Sequence, residues 1–226
     1  MKTKGIILIL TLLLFSSCIV KSLQPFYTKD SLSFNEKLLG SWTDNKKGEW
    51  TVESMKSKIE EEKKEAKALS KEDLIIFETY KEGYFITHLK DDKEAGFIAM
   101  PFKIENQYFL DFIPIEIEEE EINSLAAEHL LKTHSVSKLD INSDNELALS
   151  WLSEERLNEL FNGNKMRLKH EKIGLEETLL LTASSEELYA FLTKYTKADL
   201  FNKYEIKEAK WKSSDKLTLT KTNAKP

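Results

Sequence analysis

From Leu74 to Ile113, short apolar runs alternate with polar breaks. Leu74–Tyr80, Tyr84–Leu89, Gly96–Ile104 and Tyr108–Ile113 are rich in β-branched and aromatic residues. Lys81-Glu82-Gly83, Asp91–Glu94 and Glu105-Asn106-Gln107 separate them. β-Rich runs at this spacing predict an antiparallel meander. Pro101 has no amide hydrogen to give to a ladder, so its strand is expected at an edge or a bulge. Pro114 is expected to stop the meander. The pattern resumes with Ser135–Asn142, which slips phase once, then Glu146–Leu152 and Glu177–Thr182. Ala209–Trp211 and Lys216–Thr220 predict a closing hairpin. Before the meander, Leu38–Thr43 is expected to be the first structured element, and Glu49–Val52 reads as a short strand.

Helical spacing appears between these runs. Glu53–Leu69 is charge-rich, with possible ion pairs one turn apart and a thin stripe of Met55, Ile59, Ala66 and Leu69; it predicts a surface or partner-docking helix. Glu116–Lys132 opens with four glutamates, which suit a positive helix N-terminus. Ser153 and Gly163 bracket Glu154–Asn162 as cap and stop. Ser184 and Glu187 form a capping box before Leu188, Phe191, Leu192 and Tyr195. The fold class expected is α+β, mainly antiparallel β: a barrel-like or strongly curved meander with peripheral helices. Trp42 and Trp151 each lie in a strand-like apolar stretch and are expected to be largely buried.

The N-terminus carries a different signal. Lys2 and Lys4 precede the apolar run Gly5–Phe15, then Ser16, Ser17 and Cys18. A positive start, apolar middle and small-residue exit predict a secretory signal peptide over residues 1–17. A membrane span needs about 20 apolar residues, more than this run offers. Leu14-Phe15-Ser16-Ser17-Cys18 resembles a bacterial lipobox, with Phe15 where a smaller aliphatic residue is usual. That resemblance implies that Cys18 is acylated and becomes the mature N-terminus. Residues 18–35 are then expected to be a lipidated tether, and residues 36–226 a single β-rich domain with helices. The membrane is the first partner expected, through the anchor at Cys18.

Composition narrows the classes. The formal charge of −6 becomes −8 once Lys2 and Lys4 leave with the signal peptide. An acidic chain is poorly suited to nucleic acid. Cys18 is the only cysteine, so no disulfide is available within the chain. Burial must hold the fold, and twelve Phe, seven Tyr and four Trp supply it.

Candidate chemistry is sparse. His88, His129, His134 and His170 show no metal-ligand spacing, so neither a metal nor another cofactor is expected. Asp140-x-Asn142-x-Asp144-x-Glu146 resembles a calcium loop but lacks its glycine and its final acid; a polar hairpin is the plainer reading. There is no glycine-rich phosphate loop, Gly-x-Ser-x-Gly elbow or Cys/His pair. No catalytic residue is assigned, and a ligand site is not identified.

Two further resemblances bear on architecture. Gly40-Ser41-Trp42 is similar to the opening of lipocalin-like barrels, where the tryptophan plugs one barrel end and the glycine allows close approach. Asn106–Pro114, His134 before a strand, Leu147–Leu152 and Leu179–Leu188 resemble, in order, segments of a group of uncharacterised Gram-negative bacterial lipoproteins. The group implies architecture and envelope location, with no activity to carry across. The function expected is a non-enzymatic, lipid-anchored envelope protein that binds a protein partner or a small apolar ligand. The alternatives are an envelope enzyme without a recognisable motif and a structural envelope component. Ile19 after the cysteine, with no acid before Asp30, implies the outer membrane, facing the periplasm.

Overall fold

The computed structural model describes residues 19–65, 70–117, 131–197, 211 and 216–222. Eight antiparallel strands close into a barrel. They are β2 (Gly40–Asp44), β3 (Glu49–Ser54), β4 (Tyr84–Lys90), β5 (Lys93–Ile104), β6 (Gln107–Ile117), β7 (Ser135–Ser143), β8 (Glu146–Trp151) and β11 (Lys216–Lys221). Each pairs with the next, and β11 closes the ring between β8 and β2. The expected α+β, mainly antiparallel class with peripheral helices is therefore the fold. β11 differs from expectation: it closes the barrel with partners distant in sequence, and Ala209–Lys210 lie outside the described residues.

Alternation decides the faces. On β3, Trp50 and Val52 point inward while Glu49 and Thr51 are exposed. On β5 and β6, Ala99, Leu110 and Phe112 face the barrel core, whereas Phe102, Ile104 and Phe109 face a second core outside it. Asp91 and Asp92 both have positive φ (52° and 60°) between the paired Lys90 and Lys93. That two-residue turn matches the twist of adjoining strands. Pro101 stands where β5 has run past Ala99, its last pairing level with β4; beside it lies only the isolated Leu32–Phe102 bridge, with Ser33 N–H donating to Pro101 C=O, so the strand is off the β4 ladder at the expected position. Pro114 does not stop the meander. β6 runs on to Ile117, past the last β7 pair at Phe112–Ser135, leaving a side without a ladder among the described residues, which tolerates proline.

The second core is built by α3 (Glu154–Asn162), α4 (Ser185–Thr196) and a small sheet. That sheet has the order β1 (Lys21–Ser22), β10 (Thr178–Leu181), β9 (His170–Ile173). Leu157, Leu179, Leu181, Leu188, Leu192 and Tyr195 pack there on Phe102, Phe109 and Val136. The caps are those read from sequence: Ser153 accepts from Arg156 N–H, and Ser184 and Glu187 form the reciprocal box.

Four expectations are corrected. Leu74–Tyr80 is not a strand; it belongs to the helix α2 (Lys71–Tyr80), which follows α1 (Met55–Glu65). Phe77 and Tyr80 pack with Met55 and Ile59 of α1 on Ile98 and Met100, so the segment is held as a helix from outside the barrel. Glu53 and Ser54 end β3 instead of opening the first helix, and residues 66–69 lie outside the described residues. Glu116 and Ile117 are strand, Leu131 and Lys132 are not helical, and 118–130 lie outside the described residues.

The fourth correction concerns residues 19–35, which are not a tether. Val20, Ser22 and Phe26 are buried, β1 adds to β10 in parallel, and Leu32 bridges Phe102. Sequence proximity gave no hint of this, because the partners lie far along the chain; Asp111, which accepts from Phe26 N–H, is 85 residues away. The segment passes outside the barrel as a strap, from Ser153 and His134 at one end to Leu38 at the other.

Candidate functional site

The barrel end reached by the strap is closed by its own side chains. Gly40 starts β2 at φ +116°, a conformation that favours glycine. Two residues on, Trp42 is 1% exposed, donates its indole N–H to Leu38 C=O at 2.8 Å, and pairs in register with Trp50. The Lys221 ammonium stands 5.1 Å from the Trp42 ring centroid. Asn35 N–H donates to the Tyr84 hydroxyl, which donates in turn to Asn35 C=O, and Phe34 stacks on the Tyr84 ring. Burial pushes the Tyr84 hydroxyl well above the ordinary phenol value, so it stays protonated. Trp42 is thus buried at this end of the barrel, two residues after Gly40. Between the ends, Ile86, Leu110, Phe112, Leu139, Leu147, Leu149 and Leu219 fill the interior and are almost fully buried.

The opposite end carries a polar cluster. The turn between β2 and β3 folds over the Asp44 carboxylate. One of its oxygens accepts from Lys46 N–H (2.7 Å) and Gly48 N–H (2.9 Å); the other accepts from Trp50 Nε1–H (2.8 Å). His88 Nε2 lies 3.8 Å from that second oxygen, with its ring over Trp50 at 4.5 Å. A Cβ at Gly48 would collide with the His88 ring and the Asp44 carboxylate, so only glycine fits. Burial raises the Asp44 pKa, but the three donors outweigh it, and the net position is below the ordinary carboxylate value. Burial lowers His88, and the Asp44 charge only partly restores it. Around the same rim, half-buried Phe97, Trp151 and Leu217 pack against the buried interior. Trp151 is thus less buried than the sequence implies, because β8 ends there at the rim.

A second carboxylate is buried outside the barrel. Asp111, on β6, is fully buried; one oxygen accepts Phe26 N–H at 2.8 Å and the other meets His134 Nδ1 at 2.6 Å. Burial raises its pKa against the opposing pull of His134. Ser22 and His134 exchange both backbone hydrogen bonds at 2.9 Å. This cluster fastens the strap to the barrel wall. In the sequence, Asp111 stands out only within a resemblance, and His134 also as one of four histidines without metal-ligand spacing. An acid inside the apolar run Tyr108–Ile113 was the available signal, since such a charge needs buried partners.

Other residues singled out earlier are dispersed. Cys18 and His129 lie outside the described residues. His170 stacks on Phe161, while Asp140 and Asp144 pair with Lys138 and Lys37. Among the described residues no group of three or more His, Cys, Asp or Glu could hold a metal ion, and no helix is long and apolar enough to cross a membrane. Exposed apolar side chains cluster on α2, at Leu74, Ile75 and Ile76. Compared with known proteins, the chain matches no family model, no curated protein and no solved structure.

Proposed function

We propose that this chain is a non-enzymatic, lipid-anchored protein of the bacterial cell envelope that binds a protein partner on its outer surface. The observation that carries the surface-binding reading is the filled barrel. Trp42, Tyr84, Leu110 and Phe112 occupy the space that a carrier barrel keeps for cargo. The exposed run Leu74-Ile75-Ile76 on α2 supplies apolar surface of the kind that protein partners cover.

The non-enzymatic reading is supported by the work already assigned to the two buried aspartates. Asp44 is spent on a turn and an indole, and Asp111 on the strap. The anchor reading rests on the lipobox-like Leu14–Cys18. Ile19, in place of an inner-membrane-retaining aspartate, favours the outer membrane and its periplasmic face.

A photo-crosslinking residue at Ile75, in cells making the acylated protein, tests the partner reading. A discrete adduct at Ile75, absent from the same residue at exposed Thr51 on the barrel wall, is expected. No adduct at Ile75 would overturn it. The half-buried rim residues Phe97, Trp151 and Leu217 favour a second reading, a small apolar ligand seated at the barrel mouth. Saturable quenching of Trp151 emission by a fatty acid or other apolar probe would support that instead.

A further inference from the structure

The strap changes how an anchored domain meets its membrane. Ile19 is already fixed by a bridge to Ser153, and Val20 after it is buried. Cys18 is therefore one Cα step, about 3.8 Å, from a residue built into the fold. An acyl group on Cys18 leaves no slack between the domain and the lipid.

The register of the small sheet identifies what lies beside that point. β1 runs parallel to β10, with Lys21 level with Leu180 and Ser22 with Leu181. Carried two residues back, this register sets Ile19 level with Thr178, which pairs with Ile173 on β9. By strand alternation, Ile19, Thr178 and Ile173 share the face opposite the buried Val20, Leu179 and Leu181; Leu180 on that face is also buried, so the exposed row is the end of the sheet. Ile19 and Ile173 stand two strand spacings apart, about 10 Å. The chain then turns at Gly174 (φ +72°), placing Leu175 beyond this row, on the side of the N-terminal end of β1. Ile19 and Ile173 are exposed, and Leu175 is 105% exposed. The Lys172–Glu177 ion pair (3.2 Å) spans the base of the turn.

On the reading that Cys18 is acylated, we propose that this end of the small sheet is a membrane-docking surface: Ile19, Ile173 and Leu175 enter the headgroup layer of the bilayer that holds the acyl chains. The β9–β10 turn is a second, protein-borne contact that fixes the orientation of the domain. Lipid is the occupant because the acylated residue adjoins the row, and no partner can cover Ile19 without also meeting the bilayer. The neighbouring charges, Lys21 and Lys172 against Glu171, Glu176 and Glu177, do not sum to a basic patch, so the contact is apolar and insensitive to anionic lipid.

The test uses the acylated full chain in phosphatidylcholine vesicles. Leu175→Cys places a thiol for an environment-sensitive fluorophore at an exposed position, where folding is not at stake. Asp144→Cys, in the exposed β7–β8 turn at the opposite end of β8 from Ser153, is the aqueous control. A blue shift and loss of most emission to brominated lipid at 175, with neither at 144, is expected, unchanged when phosphatidylserine is added. Vesicle-bound, acylated protein whose label at 175 stays aqueous would overturn the docking surface while leaving the anchor intact. Protein that fails to bind vesicles, with Cys18 unmodified by mass, would overturn the anchor and this surface together.

Discussion

Trp42→Ala tests whether the strap end of the barrel is plugged as described. The mutation removes the ring that faces Trp50, the indole N–H bond to Leu38 C=O and the contact with Lys221. Truncating a fully buried tryptophan costs about 3–5 kcal/mol through lost transfer energy and the cavity left behind. The cation–π contact accounts for about 0.5–1 kcal/mol of the interaction lost. A value near 4 kcal/mol is a large part of a typical total stability of about 5–15 kcal/mol. Trp42→Phe keeps an aromatic ring but loses the bond to Leu38, for about 1–2 kcal/mol. Trp151→Ala serves as the comparison. That ring is half-buried at the rim, so its loss should cost about 1–2 kcal/mol. Urea unfolding followed by circular dichroism is the assay, with the midpoint shifting and the slope preserved. A cost for Trp42→Ala below about 1 kcal/mol, or no larger than that for Trp151→Ala, would refute the plug.

Three further outcomes are expected. Asp111→Ala leaves the buried Phe26 amide without its acceptor and His134 without its partner, costing about 3 kcal/mol; hydrogen exchange should accelerate first at residues 20–26, and uniform acceleration would contradict the strap. His88 is held by burial below its ordinary value of 6.5, so the unfolded chain takes up a proton that the fold resists. Stability should therefore fall as pH drops below 6.5, and His88→Gln should flatten that slope; an unchanged slope would count against the rim geometry. Cys18→Ala should move the protein from the detergent phase to the aqueous phase, and persistent partitioning would remove the anchor.

What was legible in the sequence was local. Ser153, Gly163, Ser184 and Glu187 mark helix ends by chemistry that acts within one turn, and α3 and α4 begin where those residues say. The turns at Asp91–Asp92 and Glu105–Asn106 likewise announced the β4–β5–β6 meander. What was missed depends on contacts across the chain. Leu74–Phe77 reads as a strand because its apolar residues are consecutive; only packing of Phe77 and Tyr80 with α1 selects the helix. Residues 19–35 read as a tether because their polar pattern hides the Asp111–Phe26 and Ser22–His134 bonds. The Asp44 cluster escaped notice because its parts, Asp44, Gly48, Trp50 and His88, look ordinary until the barrel brings β4 beside β3.

The claim on which the functional account depends is covalent, and the mass of the N-terminal peptide from membrane-extracted protein tests it most directly. The account requires a peptide that begins at Cys18 and carries acyl chains on that residue. An unmodified Cys18, or a mature chain beginning elsewhere, would contradict it.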